Sequence, residues 1–247
     1  MLENLKPRPD TARSLQRYRR LAADYDRSCS RIEPLRARAV RELELRPGDT
    51  VFDIACGTGP SLPDLAAAVG PRGRVVGVEL SPEMAALARR RIDAAGLSAR
   101  VEVIETALEN LRIDPPADAL LLSYTHDVLQ SPAALDRLLA SARPGARIVV
   151  LGMKTLPWLW AWPMNLFNLY RARSYLTTYH DLQRPWRLLE ARGATLRQVH
   201  SALWGSAYIA VGALPGRLPA ARSRAKRQAT SALSTQPRPA HSEEAKA

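Results

Sequence analysis

Cysteine is nearly missing from this chain: only Cys29 and Cys56 occur in 247 residues. Two thiols, one of them inside a glycine-punctuated loop, exclude a disulfide framework and fit a reducing cytosol. Histidine is almost as scarce. His126, His180, His200 and His241 show no H-E-x-x-H and no paired Cys/His spacing, which excludes the common zinc sites. A magnesium site built on clustered carboxylates is equally unsupported, because Asp127 stands alone in the loop where one would sit, so no metal is expected. There is no G-x-S-x-G elbow, no internal repeat and no RNA-binding motif. No apolar run reaches the roughly 20 residues a membrane span needs, and Met1–Pro7 holds no signal-like stretch. A cytoplasmic protein, at most peripheral to a membrane, is expected.

What is present suits one globular domain: 46% hydrophobic residues over this length bury a sizeable core without cross-links. The net charge of +12 is unevenly spread. Residues 1–41 carry 11 basic and 5 acidic side chains, whereas residues 42–153 carry 11 and 15. Residues 154–192 carry 6 and 2, and residues 216–247 carry 7 and 2. The middle is mildly acidic and the flanks are basic. Basic flanks attract nucleic acid, an anionic membrane or an acidic substrate, or are simply a solvated arginine-rich surface.

Hydrophobic periodicity predicts helices over 12–24 and 31–43. Strands near 50–54, 74–79, 100–104, 118–124 and 147–152 then alternate with helices near 61–69, 82–94 and 132–141. This is a βαβ series with a parallel sheet. Ser81-Pro82 and Ser131-Pro132 mark two helix starts, with serine as cap and proline in the first turn. Arg143-Pro144-Gly145 is the turn before the fifth strand. Residues 194–204 and 206–212 read as a final antiparallel hairpin around Gly205. From about Pro215 onward aromatics vanish, and a disordered tail is expected.

Val51-Phe52-Asp53-Ile54-Ala55-Cys56-Gly57-Thr58-Gly59 runs an apolar strand into a turn of the kind that lets a nucleotide cofactor approach the backbone. Val75-Val76-Gly77-Val78-Glu79 follows, a second strand ending in a carboxylate suited to ribose hydroxyls. A dinucleotide loop needs G-x-G-x-x-G, but the third position counted from Gly57 is Leu62. Asp53 would also repel a pyrophosphate and attract an ammonium. The pattern favours a cationic, phosphate-free cofactor.

With Asp53–Gly59 and then Gly77-Val78-Glu79-Leu80-Ser81-Pro82-Glu83-Met84, the chain resembles the class I S-adenosylmethionine-dependent methyltransferases, within them the group similar to the ubiquinone/menaquinone C-methyltransferases. The resemblance covers residues 15 to 153. It implies a Rossmann-like α/β fold, a doubly wound seven-stranded sheet of order 3-2-1-4-5-7-6 with the last strand antiparallel, and S-adenosyl-L-methionine as cofactor. It implies that Asp53, Ala55, Gly57 and Gly59 meet the methionine end, and that Glu79 with Leu80 holds the ribose. Met84 then packs on adenine, or is core. An acidic residue commonly follows the third strand in the family; here Thr106 stands there, and the adenine pocket leans on the backbone amides of Thr106 and Ala107.

The loop Ser123-Tyr124-Thr125-His126-Asp127 leaves a central strand at its ligand-binding end. His126, with Tyr124, is the candidate catalytic group, or else packs beside the methionine carboxylate. Tyr18 and Tyr25 would close over the cofactor as a lid, or Tyr25 would seat its helix on the sheet. The expected organisation is a single domain over 1–214. It comprises a helical lid (1–45), a cofactor core (46–153), an acceptor-recognition insertion (154–192) and final strands (193–214), with a tail over 215–247. In the insertion, Leu156–Phe167 reads as an apolar lid over a small-molecule pocket, with Trp158 and Trp162 candidates for the acceptor side, and Tyr175, Tyr179, His180 and Trp186 line the acceptor side or are aromatic core. Tryptophan beside Arg171 and Arg173 also suits an anionic membrane interface. The expected activity is methyl transfer to a small, lipophilic acceptor. The alternatives are methylation of lipid amine headgroups and, from another class, a nucleic-acid-binding or cofactor-sensing protein.

Overall fold

The computed structural model describes residues 9–21, 25, 27, 30–173 and 175–216. The chain divides into two compact units, 1–216 and 217–247, and everything below concerns the first. Cys29, the end of the expected first helix beyond Leu21 and the expected tail from residue 217 lie outside the described residues.

Seven strands form one sheet: β1 (Thr50–Ile54), β2 (Arg74–Glu79), β3 (Val101–Glu105), β4 (Ala117–Ser123), β5 (Ala142–Met153), β6 (Thr195–Ala202) and β7 (Ala207–Ala213). Their order is β3-β2-β1-β4-β5-β7-β6. The first five are mutually parallel, and β7 runs antiparallel to both β5 and β6. The helices are α1 (Thr11–Leu21), α2 (Glu33–Glu42), α3 (Leu62–Val69), α4 (Pro82–Ala94), α5 (His126–Leu129), α6 (Pro132–Ala140), α7 (Trp158–Ala172) and α8 (Arg187–Glu190). Both Ser-Pro pairs cap as the sequence predicts. Ser81 Oγ accepts from the Met84 amide at 3.4 Å, and Ser131 Oγ from the Ala134 amide at 3.3 Å.

Strand alternation divides the core into two layers, because successive side chains point to opposite faces. Phe52, Ile54, Val76, Val78, Leu120 and Leu122 pack under α6. Val51, Val75, Val101, Leu121, Val149 and Leu151 pack under α2, α3 and α4. A parallel sheet covered on both faces needs such near-continuous apolar strands. In register, Ile54 lies between Val78 and Leu122. The carboxyl ends of β1, β2 and β4 therefore open side by side.

Two features differ from expectation. Strand β5 begins at Ala142 rather than near 147: Ala117 pairs with Ala142 and Ala119 with Arg147, so residues 143–146 bulge out opposite Asp118. Asp118 accepts from Arg143 Nη1 and from the Thr50 amide, both at 2.9 Å, and holds the bulge to β1. The insertion, for which no helix was assigned, contains α7. Buried Asn165 fastens it by exchanging two 2.9 Å hydrogen bonds with the Leu156 backbone.

Candidate cofactor and acceptor site

A cavity of about 510 Å³ lies over the carboxyl ends of β1, β2 and β4. Its floor is the turn after β1. Gly57 (φ +61°) and Gly59 (φ +73°) adopt the left-handed backbone that the turn requires. A Cβ on Gly59 would lie 2.7 Å from Leu62 Cδ1 and 3.1 Å from Ala88 Cβ, so this glycine also lets α3 and α4 close on the turn. Ala55 (φ 52°) and Tyr124 (φ 58°) hold the same conformation without glycine's freedom, one at each strand end. Strained backbone of this kind concentrates where a ligand is held.

Glu79 organises the floor. Its Oε2 accepts from the Gly57 amide and its Oε1 from the Ser81 amide, both at 2.8 Å, and it lines the cavity while remaining buried. Burial raises its pKa against those amide bonds. Asp53 lies behind the floor, 2% exposed and off the cavity wall. Burial pushes its pKa up to about 7; nearby Arg36 opposes the rise and Glu79 adds to it. The floor therefore offers negative charge and no phosphate-binding cation of its own.

At the end of β4, Ser123 Oγ and Thr125 Oγ1 are buried without a hydrogen-bond partner among the described residues, and the buried His126 ring faces the His180 backbone. Ser123, Thr125 and His126 line the cavity. The Ser123 and Thr125 oxygens have no exposed surface, so other atoms of these residues form the wall. Burial lowers the His126 pKa to about 4, outweighing the opposing pull of the His180 backbone and Asp181.

The roof comes from α1 and residues 175–176, and Asp127 ties it down. Its carboxylate accepts from the Thr177 amide (3.1 Å), the Thr177 hydroxyl and the Thr178 amide (3.3 Å). The Asp10 amide donates to Thr177 Oγ1 at 3.0 Å, Arg17 donates to the Leu176 carbonyl at 2.7 Å, and Arg19 pairs with Glu83 at 2.7 Å. Tyr18, Tyr25 and Tyr175 form an edge-to-face row with successive centroids 6.2 Å apart. Tyr25 Cε1 lies 3.8 Å from where a Gly57 Cβ would be.

Of the residues singled out from sequence, Tyr25, Ala55, Gly57, Glu79, Leu80, Met84, Thr106, Ala107, Tyr124, His126 and Tyr175 stand on this cavity. Asp53 and Gly59 stand behind it. The Thr106 amide is already given to the Glu79 carbonyl at 2.9 Å and its hydroxyl to the Ala107 carbonyl, so it does not supply the free amide donor expected of it. Trp158, Trp162, Tyr179 and His180 are off the wall, the first three at least 44% exposed. Trp186 is core, its ring 4.7 Å from that of Tyr208. Residues Pro9 to Leu15 of the wall fall within the expected helical lid, though none was singled out; the latch through Thr177 was missed, with only the carboxylate of Asp127 hinting at it.

Residues 51–145 match the protein-family profile described as a methyltransferase domain. Residues 51–145 carry a methyltransferase domain. The chain is 26% identical over 208 residues to the demethylmenaquinone methyltransferase of Bacillus cytotoxicus, covering 76% of this chain and 87% of that one. It is 32% identical over 109 residues to a ubiquinone/menaquinone biosynthesis C-methyltransferase of Ectopseudomonas mendocina, covering 43% of each. Several curated relatives are spanned over only about half of their length or less. Among solved structures, a SAM-dependent methyltransferase from Aquifex aeolicus shares the fold at TM-score 0.54 and 23% identity, covering 75% of this chain and 93% of that one.

The cofactor of this domain class is S-adenosylmethionine, and the cavity fits it. Both Glu79 oxygens keep a second lone pair for ribose hydroxyls after accepting their amides. Buried Met84 offers an apolar wall for a base. The acidic floor suits a ligand carrying ammonium and sulfonium charges. Among the described residues no helix is long and apolar enough to cross a membrane.

Proposed function

We propose that the protein transfers a methyl group from S-adenosylmethionine to a small, lipophilic acceptor by in-line attack on the sulfonium methyl. The observation that carries this reading is a cavity of about 510 Å³ lined by buried Glu79 and by Ser123, Thr125 and His126. Bound S-adenosylmethionine supplies an electrophilic methyl, so the residues need chiefly to align the acceptor and exclude water. Glu79, Ala55 and Gly57 hold the cofactor, while Asp53 acts on its charge from behind the floor. Tyr124 and His126 face the acceptor. The cavity of about 510 Å³ under α1 and residues 175–176 is of small-molecule size. The alternative of another class is a nucleic-acid-binding or cofactor-sensing protein.

His126 acts as a neutral hydrogen-bonding group in this reading, not as a strong base. With its pKa near 4, taking a proton at pH 7 costs about 4 kcal/mol. His126→Ala is therefore expected to slow turnover with little change in cofactor affinity. The wild-type rate is expected to show no histidine step at the ordinary pKa of 6.5. A step there that disappears in His126→Ala would assign it the role of base.

The proposal is tested by incubating the protein with methyl-labelled S-adenosylmethionine and a host extract. Label in an organic-soluble small molecule is expected. Label in RNA or protein, or cofactor binding with no transfer to any fraction, would overturn it. A second reading, methylation of a lipid amine headgroup at a membrane surface, is favoured by the exposed tryptophans of α7 and by Arg171 and Arg173 at its C-terminal end; it predicts label in phospholipid.

A further inference from the structure

Helix α7 is apolar on the wrong side. Ala161, Asn165 and Ala172 face the protein, yet the outward side carries Leu159 (94% exposed), Trp160 (65%), Trp162, Leu166, Phe167 and Tyr170 (64%). A helix apolar all round belongs in a core or in lipid, and at 15 residues α7 is too short to span a bilayer. An exposed apolar patch of this extent marks an interaction site.

A second apolar element lies beside it. The β6–β7 turn exposes Leu203 (57%) and Trp204 (88%), both held at positive φ. Gly205 of that turn packs on Leu156, with 3.1 Å between its would-be Cβ and Leu156 Cδ2. Leu156 is the residue that Asn165 of α7 clamps.

We infer that α7, with the Leu203-Trp204 turn, docks the protein on an anionic lipid bilayer. The charges favour that occupant. Residues 154–180 contain Lys154, Arg171 and Arg173 and no acidic side chain. Arg173 lies 3.6 Å from the centre of the Tyr170 ring and Arg171 5.8 Å from that of Phe167, so each cation sits at the edge of the apolar face. Phenyl and phenol rings beside guanidinium groups, with exposed indoles on the same helix, match the headgroup boundary, where rings enter the interface and cations meet phosphate.

The C-terminal end of α7 leads into the cavity wall. The amides of Tyr175 and Leu176 donate to the Ala172 carbonyl at 2.8 and 3.0 Å, and both residues line the cavity. Docking by α7 thus sets the cavity roof beside the lipid surface, which rests on the methyl-transfer reading only in making the bilayer the source of a lipophilic acceptor.

The test uses the full chain and vesicles of phosphatidylcholine alone or mixed equally with phosphatidylglycerol. Wild type is expected to bind the mixed vesicles, more weakly as salt rises. Leu159→Glu with Leu166→Glu, both on the exposed face, is expected to lower that binding by roughly tenfold or more at an unchanged melting temperature. The basic segment 217–247 is intact in both proteins, so a loss reports α7. Brominated lipid is expected to quench wild-type tryptophan emission, which needs no variant. Equal binding by the variant, no quenching, or a wild-type dimer that the two substitutions dissociate would overturn the inference. Cofactor binding followed by calorimetry without vesicles separates this failure from failure of the methyl-transfer reading.

Discussion

Glu79→Ala is expected to weaken S-adenosylmethionine binding by about 100-fold, read by calorimetry on protein whose folding is verified by its melting transition. The wild-type carboxylate satisfies the Gly57 and Ser81 amides and faces the cavity. Its removal orphans two buried donors, each worth about 1–3 kcal/mol, and deletes a charge-assisted acceptor for the ligand. A loss of about 3 kcal/mol in binding corresponds to that factor. Glu79→Gln is expected to be nearly as damaging, because its NH2 group must face one of the two amide donors. Wild-type affinity in either variant would remove Glu79 from the cofactor site.

The second large effect concerns Asp53 and pH. Its folded pKa of about 7 stands above the ordinary 3.8, so between these values the folded protein retains a proton that the unfolded chain has lost. Stability therefore falls as pH rises through this window and levels off above 7. The full difference is about 4 kcal/mol. Asp53→Asn is expected to raise the stability of the cofactor-free protein at pH 8 by up to that amount, measured by urea unfolding across pH. The same substitution is expected to weaken cofactor binding, since a cationic ligand favours ionised Asp53. Wild-type affinity should rise as pH passes through 7, and the Asp53→Asn protein should show no such rise. A variant less stable than wild type at pH 8, or a wild-type affinity that is flat across this range, would contradict the assignment.

Much of the fold was legible because burial dictates it. Strands β1, β2 and β4 are covered on both faces, so they appear as largely apolar runs, broken by Asp53 and Asp118, with Gly57, Gly59 and Glu79 at or just beyond their ends. The capping serines were legible for a similar reason: Ser81 and Ser131 satisfy local amides, and local chemistry is written locally. Long-range contacts leave weaker traces. Nothing in the sequence marks Ala55 and Tyr124 as left-handed, since surrounding packing imposes a conformation that composition would assign to glycine. The tie that holds the roof was equally obscure, although the N-terminal helical lid was legible. Asp127 meets Thr177 across 50 residues, and neither residue type is distinctive alone. Trp158 and Trp162 were read toward the acceptor because aromatics usually seek cover; their actual side of α7 depends on where Asn165 is clamped.

The central claim is that the cavity over β1, β2 and β4 holds S-adenosylmethionine, and equilibrium binding of the labelled cofactor to the full chain tests it most directly, with unlabelled S-adenosylhomocysteine and a nicotinamide dinucleotide as competitors. Saturable binding of one cofactor per chain, displaced by S-adenosylhomocysteine and indifferent to the dinucleotide, is the predicted result. No saturable binding, or displacement by the dinucleotide, would contradict it.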